Sequence, residues 1–514
     1  MSEKEYIVSL KKDADASSFK AEMTQSNGDS TIPDRSVDVA NERLLSTRNT
    51  HYSLTDAEAE QLKNDTRVAD VHIPPEDDDT LEIGLNATQS SDFTKTTSDS
   101  GNYVNWGLRR CITNSNPYIG SSITVSGDYT YNLDGTGVDV VIQDSGLQVD
   151  HPEFNDASGT SRVQQINWYT ESGVSGTQSS NHYRDYNGHG THVGGTAAGL
   201  TYGWAKNARI YAVKVSGLEG SGDSGGISVS NCFDVIKGWH NNKPIDPATG
   251  YKRPTIVNMS WGYGSYAYNV TGGSYRGSSF SGWTGSGRNT SVGIVGSYRS
   301  STFGYRVVVR VTSVDTDIQE MIDAGIHICC AAGNSYQKVD IASGLDYNNY
   351  FTSSIYGTKY YHRGGSPYDD EAIIVGNIDS SIHSGGSEQK AGSSENGPGV
   401  HIYAPGTNIM AACSTTTEFT AGTYPQNSNY KICNISGTSM ASPQVCGVGA
   451  LLLQANPHAT PAQLKAHLIA TCQTNGIYST GLDNDYSDSR SLKGGNNRFL
   501  VNPFASQYKF QIQN

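Results

Sequence analysis

The 514-residue chain lacks any apolar run long enough to cross a bilayer, for which a helix needs about 20 consecutive apolar residues. No membrane partner is expected from it. The opening residues, Met1-Ser2-Glu3-Lys4-Glu5-Tyr6-Ile7-Val8, hold no basic segment followed by an apolar run, so no ordinary signal peptide is expected. Location stays open between the cytoplasm, export by a nonclassical route and packaging in a virus particle. Positive charge is short: 36 Lys and Arg face 50 Asp and Glu, a net charge of -14, which argues against nucleic acid as the main partner. No glycine-rich phosphate loop ends in lysine, which excludes the common nucleotide hydrolases. The eight cysteines match no zinc spacing. Cys232, Cys329, Cys330 and Cys446 sit in apolar stretches and read as buried thiols, while Cys413 and Cys433 flank a polar segment and are candidates for a disulfide.

What the chain has in quantity is glycine, 57 residues without a collagen-like period, and tyrosine, 31 residues. That mix suits a loop-rich α/β protein of two or three domains. Residues 1–77 read as a small α+β domain: a strand over Tyr6 to Leu10, a helix over Asp15 to Met23, a second helix opened by the Thr55/Glu58 capping signature, and a strand over Val68 to Ile73. Residues 78–103, rich in Asp, Ser and Thr, read as an exposed linker. From 104 to 514, apolar strand-like runs alternate with helical stretches. Strands are expected at 138–143, 209–215, 255–259, 326–331, 372–377 and 401–404, with helices at 192–200, 228–240, 318–324 and 441–454. Near-continuous Val/Ile runs of this kind predict a mostly parallel central sheet with helices on both faces. Two stretches near 262–316 and 335–370 exceed ordinary loop length and read as insertions that either shape a cleft or decorate the surface. Within the first, 290–295 and 305–312 read as strands. The segment Thr415 to Tyr430 reads as a polar hairpin, and Thr460-Pro461-Ala462-Gln463 opens a helix with a capping box.

Three glycine-punctuated motifs carry the chemistry. Val138-Asp139-Val140-Val141-Ile142-Gln143-Asp144-Ser145-Gly146 is an apolar strand ending in an acid. Asn187-Gly188-His189-Gly190-Thr191-His192 is a tight turn feeding a helix of small residues. Gly437-Thr438-Ser439-Met440-Ala441-Ser442-Pro443 opens a buried helix, with Pro443 fitting its first turn. A serine hydroxyl becomes a useful nucleophile only when a base takes its proton. A histidine can do so and return the proton to the leaving amine, and a carboxylate fixes the imidazole tautomer. The set Asp144, His189 and Ser439 supplies these three roles.

The order Asp, His, Ser in these surroundings resembles the subtilisin-like serine peptidases (subtilases), and Asn105-Trp106-Gly107-Leu108-Arg109-Arg110 resembles the start of the catalytic domain in the proteinase K branch. The resemblance implies a subtilisin-like α/β fold and a serine endopeptidase acting on polypeptide substrates through an acyl-enzyme. It implies that Asn334, in Ala331-Ala332-Gly333-Asn334, donates its side-chain amide to the oxyanion. The walls of the pocket for the residue before the cut would be Ser260-Trp261-Gly262 and Ala331-Ala332-Gly333. Residues 1–77 would be an inhibitory propeptide and folding chaperone, with its tail near Val71 to Asp77 in the cleft and self-cleavage in the linker. No cofactor is needed for the chemistry. Structural calcium occurs in the family, with Asp150, Glu153 and Asp185 as oxygen donors on offer. The chain departs from the family pattern at Gln444 (for His), Cys446 and Gly194 (for Ala) and Ser145 (for Thr), none of which removes a catalytic group. His192 and Asp139 are the weaker rivals for base and acid. The alternative function is a noncatalytic binding or structural protein on the same scaffold. An esterase is disfavoured because Ala441 stands where a Gly-x-Ser-x-Gly elbow needs its second glycine.

Overall fold

A computed structural model describes residues 3–25, 28–43, 45–85, 88–89, 105–112, 116, 118–119, 122–123, 131–223, 225–286, 289–296, 298–300, 304–481 and 486–504. Its centre is a mixed sheet in which strands run in the order Val163–Gln164, Arg209–Lys214, Asp139–Asp144, Thr255–Met259, His327–Ala331, Ile373–Ile382, Ile402–Pro405, Arg498–Phe499 and Gln473–Thr474. All neighbours in this order are parallel except the last pair. The strand Asp139–Asp144 is buried at every position, as its unbroken apolar run requires of a parallel strand covered on two sides. The helices His189–Ala198 and Thr438–Ala455 pack on each other and on these strands, as do Val229–Asn242 and Thr312–Asp323.

Residues 4–72 form a separate four-stranded antiparallel sheet ordered Val39–Asn41, Asn49–Leu54, Lys4–Leu10, Val68–His72, with helices Ala16–Met23 and Asp56–Leu62. The capping box at Thr55 and Glu58 forms as the sequence predicts. The two middle strands went unpredicted because Asn49-Thr50-His51 and Val39-Ala40-Asn41 carry no clear apolar alternation. This sheet has its own core, which includes Val8, Phe19, Met23, Tyr52, Leu54, Leu62 and Val71.

The domain rests on the helix pair Val229–Asn242 and Thr312–Asp323. At the contact Arg43 is buried between two carboxylates, donating to Asp234 at 2.5 Å and 3.0 Å and to Asp317 at 3.0 Å. Burial alone would lower the pKa of this guanidinium, but Asp317 and Asp234 together hold it above its ordinary value. Asn49 donates to Asp317 at 3.1 Å, and Thr47 donates twice to Glu320.

The insertions join into one sheet. Trp261–Tyr275 is a single 15-residue strand, paired with Ser278–Ser286, with Gly304–Val308 and with Tyr350–Ser353 of the second insertion. The strand expected at 290–295 is instead a single 3-10 turn, Thr290–Val292, and Gly304–Val308 stops short so that the helix Thr312–Asp323 begins six residues before its expected start. Of the segment read as an exposed linker, 78–103, residues 86–87 and 90–103 lie outside the described residues, and two described stretches are paired strands. Glu82–Leu85 pairs antiparallel with Trp261 to Gly264, and Thr88–Gln89 pairs with Ile435 and Ser436. Backbone pairing, which polar composition does not announce, holds them there. The tail expected near Val71 to Asp77 is a strand end and a 3-10 turn of the N-terminal domain. Cys413 and Cys433 form a disulfide between Ile409–Cys413 and Lys431–Ser436.

Candidate active site

Three adjacent parallel strands end at one place, where ligands of such sheets gather. Asp139–Asp144 delivers Asp144, Thr255–Met259 delivers Ser260 one residue on, and His327–Ala331 leads to Gly333 and Asn334. His189 is the first residue of its helix, and its Nδ1 lies 2.7 Å from Asp144 Oδ1. Both side chains are fully buried. The carboxylate fixes the proton on Nδ1, which leaves Nε2 as the basic nitrogen. Nε2 has no hydrogen-bond partner among the described residues.

The turn that carries His189 is pinned by Asp185. Its carboxylate accepts from Gly188 N at 2.7 Å, Thr191 N at 2.8 Å, Thr191 Oγ1 at 2.6 Å and Ser145 Oγ at 2.9 Å. Ser145 Oγ also accepts from Gly190 N at 2.9 Å, so the hydroxyl beside Asp144 clamps the residue after His189. The departure at position 145 therefore keeps the hydroxyl and loses only a methyl. Gly194 is explained as well, because a Cβ there would lie 2.7 Å from Leu147 Cδ1.

Ser439 is buried at the second position of the helix Thr438–Ala455. That helix starts three residues earlier than expected, which places Pro443 inside it rather than in its first turn. A proline at this position cannot donate to the carbonyl four residues back, which belongs to Ser439. Ser260 Oγ donates to that carbonyl instead, at 2.9 Å. In return, Ser439 Oγ donates to the Ser260 carbonyl at 2.8 Å rather than to His189. Ser260 Oγ itself accepts from Asn258 Nδ2 at 2.8 Å, and Asn258 Oδ1 accepts from Ser442 Oγ at 2.7 Å. Sequence reading cast Ser260 only as a pocket wall and left Asn258 and Ser442 unassigned. Their one signal was the placement of a proline four residues past the nucleophile.

Asn334 lies beside the same helix start. Its Oδ1 accepts from Thr438 N at 3.0 Å and Thr438 Oγ1 at 3.2 Å, so its Nδ2 is the end turned from Thr438. Gly333 N donates to Thr438 Oγ1 at 3.2 Å, which brings Ala331, Ala332 and Gly333 against the residue before Ser439. On the other side, Trp261 and Gly262 form the strand edge that receives Leu85 and Gly84. All the residues singled out for catalysis and the pocket thus converge.

The rivals have other work. His192 Nε2 lies 2.9 Å from the carbonyl of Ile409, and burial pushes its pKa down to about 3, so it stays neutral inside the helix. Asp139 is bound by Lys243 at 2.9 Å and Arg253 at 2.7 Å. Gln444 accepts from Trp204 Nε1 at 2.7 Å and exchanges hydrogen bonds with Asn105 at 3.1 Å, tying down the segment that opens the larger domain. As for calcium, Asp185 is engaged as described, and Glu153 accepts from Thr201 N at 2.8 Å and Tyr424 OH at 2.9 Å. Among the described residues no group of three His, Cys, Asp or Glu side chains is arranged to hold a metal ion.

Residues 135–491 match the Subtilase family, Peptidase_S8. The extracellular serine proteinase of Thermus sp. (strain Rt41A) is 26% identical over 435 residues, covering 84% of this chain and 73% of that protein. The alkaline serine exoprotease A of Vibrio alginolyticus is 25% identical over 375 residues, covering 73% of this chain but only 48% of its own length. Fervidolysin from Fervidobacterium pennivorans, a keratinolytic enzyme related to subtilisin, aligns with a TM-score of 0.52 over 99% of this chain and 62% of that one, at 18% identity, a likeness of fold. With the family pattern spanning more than half of its length, the chain belongs to the subtilase family of serine peptidases.

Proposed function

We propose that this chain is a serine endopeptidase made as a precursor that cuts itself, with residues 4–72 acting as its inhibitor and folding partner. Ser439 attacks the peptide carbonyl while His189 Nε2 takes its proton, and Asp144 stabilises the imidazolium that forms. Asn334 Nδ2 and the Ser439 backbone N–H stabilise the tetrahedral oxyanion. His189 then returns the proton to the departing amine, and water releases the acyl group by the same steps.

One observation carries the precursor reading. The chain pairs with Trp261 to Gly264 on one side of the nucleophile through Glu82–Leu85, then with Ile435 and Ser436 on the other through Thr88–Gln89. An extended peptide adding a strand to a sheet edge is how proteases commonly hold substrates. The bond to be cut is then one of the three that join Leu85 to Thr88. The test is intact mass of freshly made wild type beside Ser439→Ala. Wild type should lose an N-terminal piece ending at Leu85, Asn86 or Ala87 while the variant stays whole. If both remain whole, and neither digests casein after removal of the N-terminal domain, the noncatalytic alternative replaces this reading.

A further inference from the structure

The subtilase resemblance puts the side chain of the residue before the cut beside Ser439, between two segments bonded to its helix start. These are Ser260 to Gly262 and Ala331 to Gly333. Two glycines report what packs beside these segments. Gly333 has φ +112°, and a Cβ built on it would lie 3.0 Å from Glu395 Cγ and 3.1 Å from Val308 Cγ1. Gly365 faces the same valine, with its Cβ position 3.0 Å from Val308 Cβ. Val308 is the last residue of the insertion strand Gly304–Val308 and is 3% exposed. Its backbone is held by the sheet: it pairs with Gly264, and the next residue's N–H donates to Tyr263 O at 3.2 Å. An incoming group therefore cannot displace Val308 without disturbing that strand.

Glu395 is fixed too. Its Oε1 accepts from Ser335 N at 3.0 Å, and its Oε2 accepts from Gln337 N. Burial pushes its pKa up to about 8, against the pull of those two donors.

We infer that Val308, lent by the insertion, and Glu395 shorten the pocket for the residue before the cut, so that the enzyme cleaves after short side chains such as Ala or Asn. The inference rests on the peptidase reading above. It also selects among the three candidate bonds in the chain's own sequence. Cleavage should follow Asn86 or Ala87, not the longer Leu85.

The experiment uses self-processed enzyme and a peptide series identical except for Ala, Asn, Leu, Phe or Lys before the cut. Wild type should favour Ala and Asn over Phe in kcat/KM by at least about tenfold, the discrimination that a methylene or two gives in a closed pocket. Val308→Ala should recover about tenfold or more on Leu and Phe and leave Ala within a few-fold. Val308→Thr keeps the volume and should keep the wild-type profile. Sequencing of the new N-terminus should read Ala87 or Thr88. A wild type that prefers Leu, Phe or Lys, an unchanged Phe-to-Ala ratio in Val308→Ala, or a new N-terminus at Asn86 would each overturn the inference and leave the peptidase reading standing. Cleavage of none of the peptides would instead sink the peptidase reading, and this inference with it.

Discussion

Ser260 and Ser439 are bonded to each other twice: each hydroxyl donates to the other's carbonyl, at 2.8 Å and 2.9 Å. One bond replaces the helix hydrogen bond that Pro443 cannot make. The other holds the nucleophile's hydroxyl away from His189. The carbonyl of Ser260 lies at the head of the strand edge that pairs with Leu85 and Gly84. In the proposed mechanism, substrate docking and release of the Ser439 hydroxyl toward His189 would thus meet at one acceptor.

Ser260→Ala leaves the buried Ser439 carbonyl and the Asn258 amide each without a partner. Orphaning buried polar groups costs about 1–3 kcal/mol apiece. The expected result is a clear fall in Tm by calorimetry, together with a lower kcat as the helix start loses its anchor. A stability equal to that of wild type would show that Ser260 Oγ does not hold this helix.

Asn334→Ala should lower kcat by about 10²–10³ with little change in KM, the loss recorded for the side-chain oxyanion donor of subtilisin, a member of the same family. Because Oδ1 also accepts from Thr438, Asn334→Asp keeps that contact and lacks the Nδ2 donor, so it should be as inactive as the alanine variant. Steady-state kinetics on one peptide separate these outcomes.

Arg43→Ala leaves Asp234 and Asp317 buried without their cation. Breaking a buried pair in this way costs about 3–5 kcal/mol. In the Ser439→Ala background, which keeps the chain whole, the N-terminal domain should come off the helix pair Val229–Asn242 and Thr312–Asp323. Amide hydrogen exchange of those helices should then rise, while exchange in the central sheet stays as it was.

Glu58 bears on acid stability. The Arg35 guanidinium, with help from the Thr55 cap, holds its pKa down to about 2, below the ordinary 4.5. A carboxyl whose folded pKa is depressed adds stability that is complete above about 4.5 and disappears as pH falls through about 2. Thermal unfolding of the Ser439→Ala chain should show the N-terminal domain weakening across that window. Glu58→Gln should be less stable at neutral pH and flatter below pH 4.5.

The Cys413–Cys433 bridge spans a sequence separation of 20 residues, for which loop-closure entropy gives about 3 kcal/mol. It ties the strand Lys431–Ser436, which runs into Ser439, to its neighbour. Reduction, or the double alanine variant, should lower Tm and slow self-processing, since Ile435 and Ser436 also receive Gln89 and Thr88.

That Asp144, His189, Ser439 and Asn334 lie near one another was legible from their motifs: Asp144 ends an apolar strand, and the other three sit in short runs of small residues. The parallel sheet was legible from its Val/Ile runs, buried on both sides. The strand Trp261–Tyr275 was not, because its Gly, Ser and Tyr content gives no apolar alternation and its pairing partners lie in other segments. Arg43, Val308 and Glu395 were invisible for a related reason. Their partners, Asp234, Gly264 and Gln337 among them, are far along the chain or bond through the backbone alone. The same holds for Glu82–Leu85, whose place is fixed by main-chain hydrogen bonds that no side-chain pattern encodes.

The strand in the cleft belongs to the molecule whose cleft it fills, so dilution does not empty it. A short tether confers a local concentration that reaches the millimolar range. In the proposed precursor, a competing peptide would have to exceed that level to enter before the chain is cut, however little protein is present. Processing in cis would then be first order, with a half-life that stays constant as the protein is diluted. After the proposed cut, Glu82–Leu85 and its domain would be held by contacts alone, and only from then on would concentration govern how long the inhibitor stays in place.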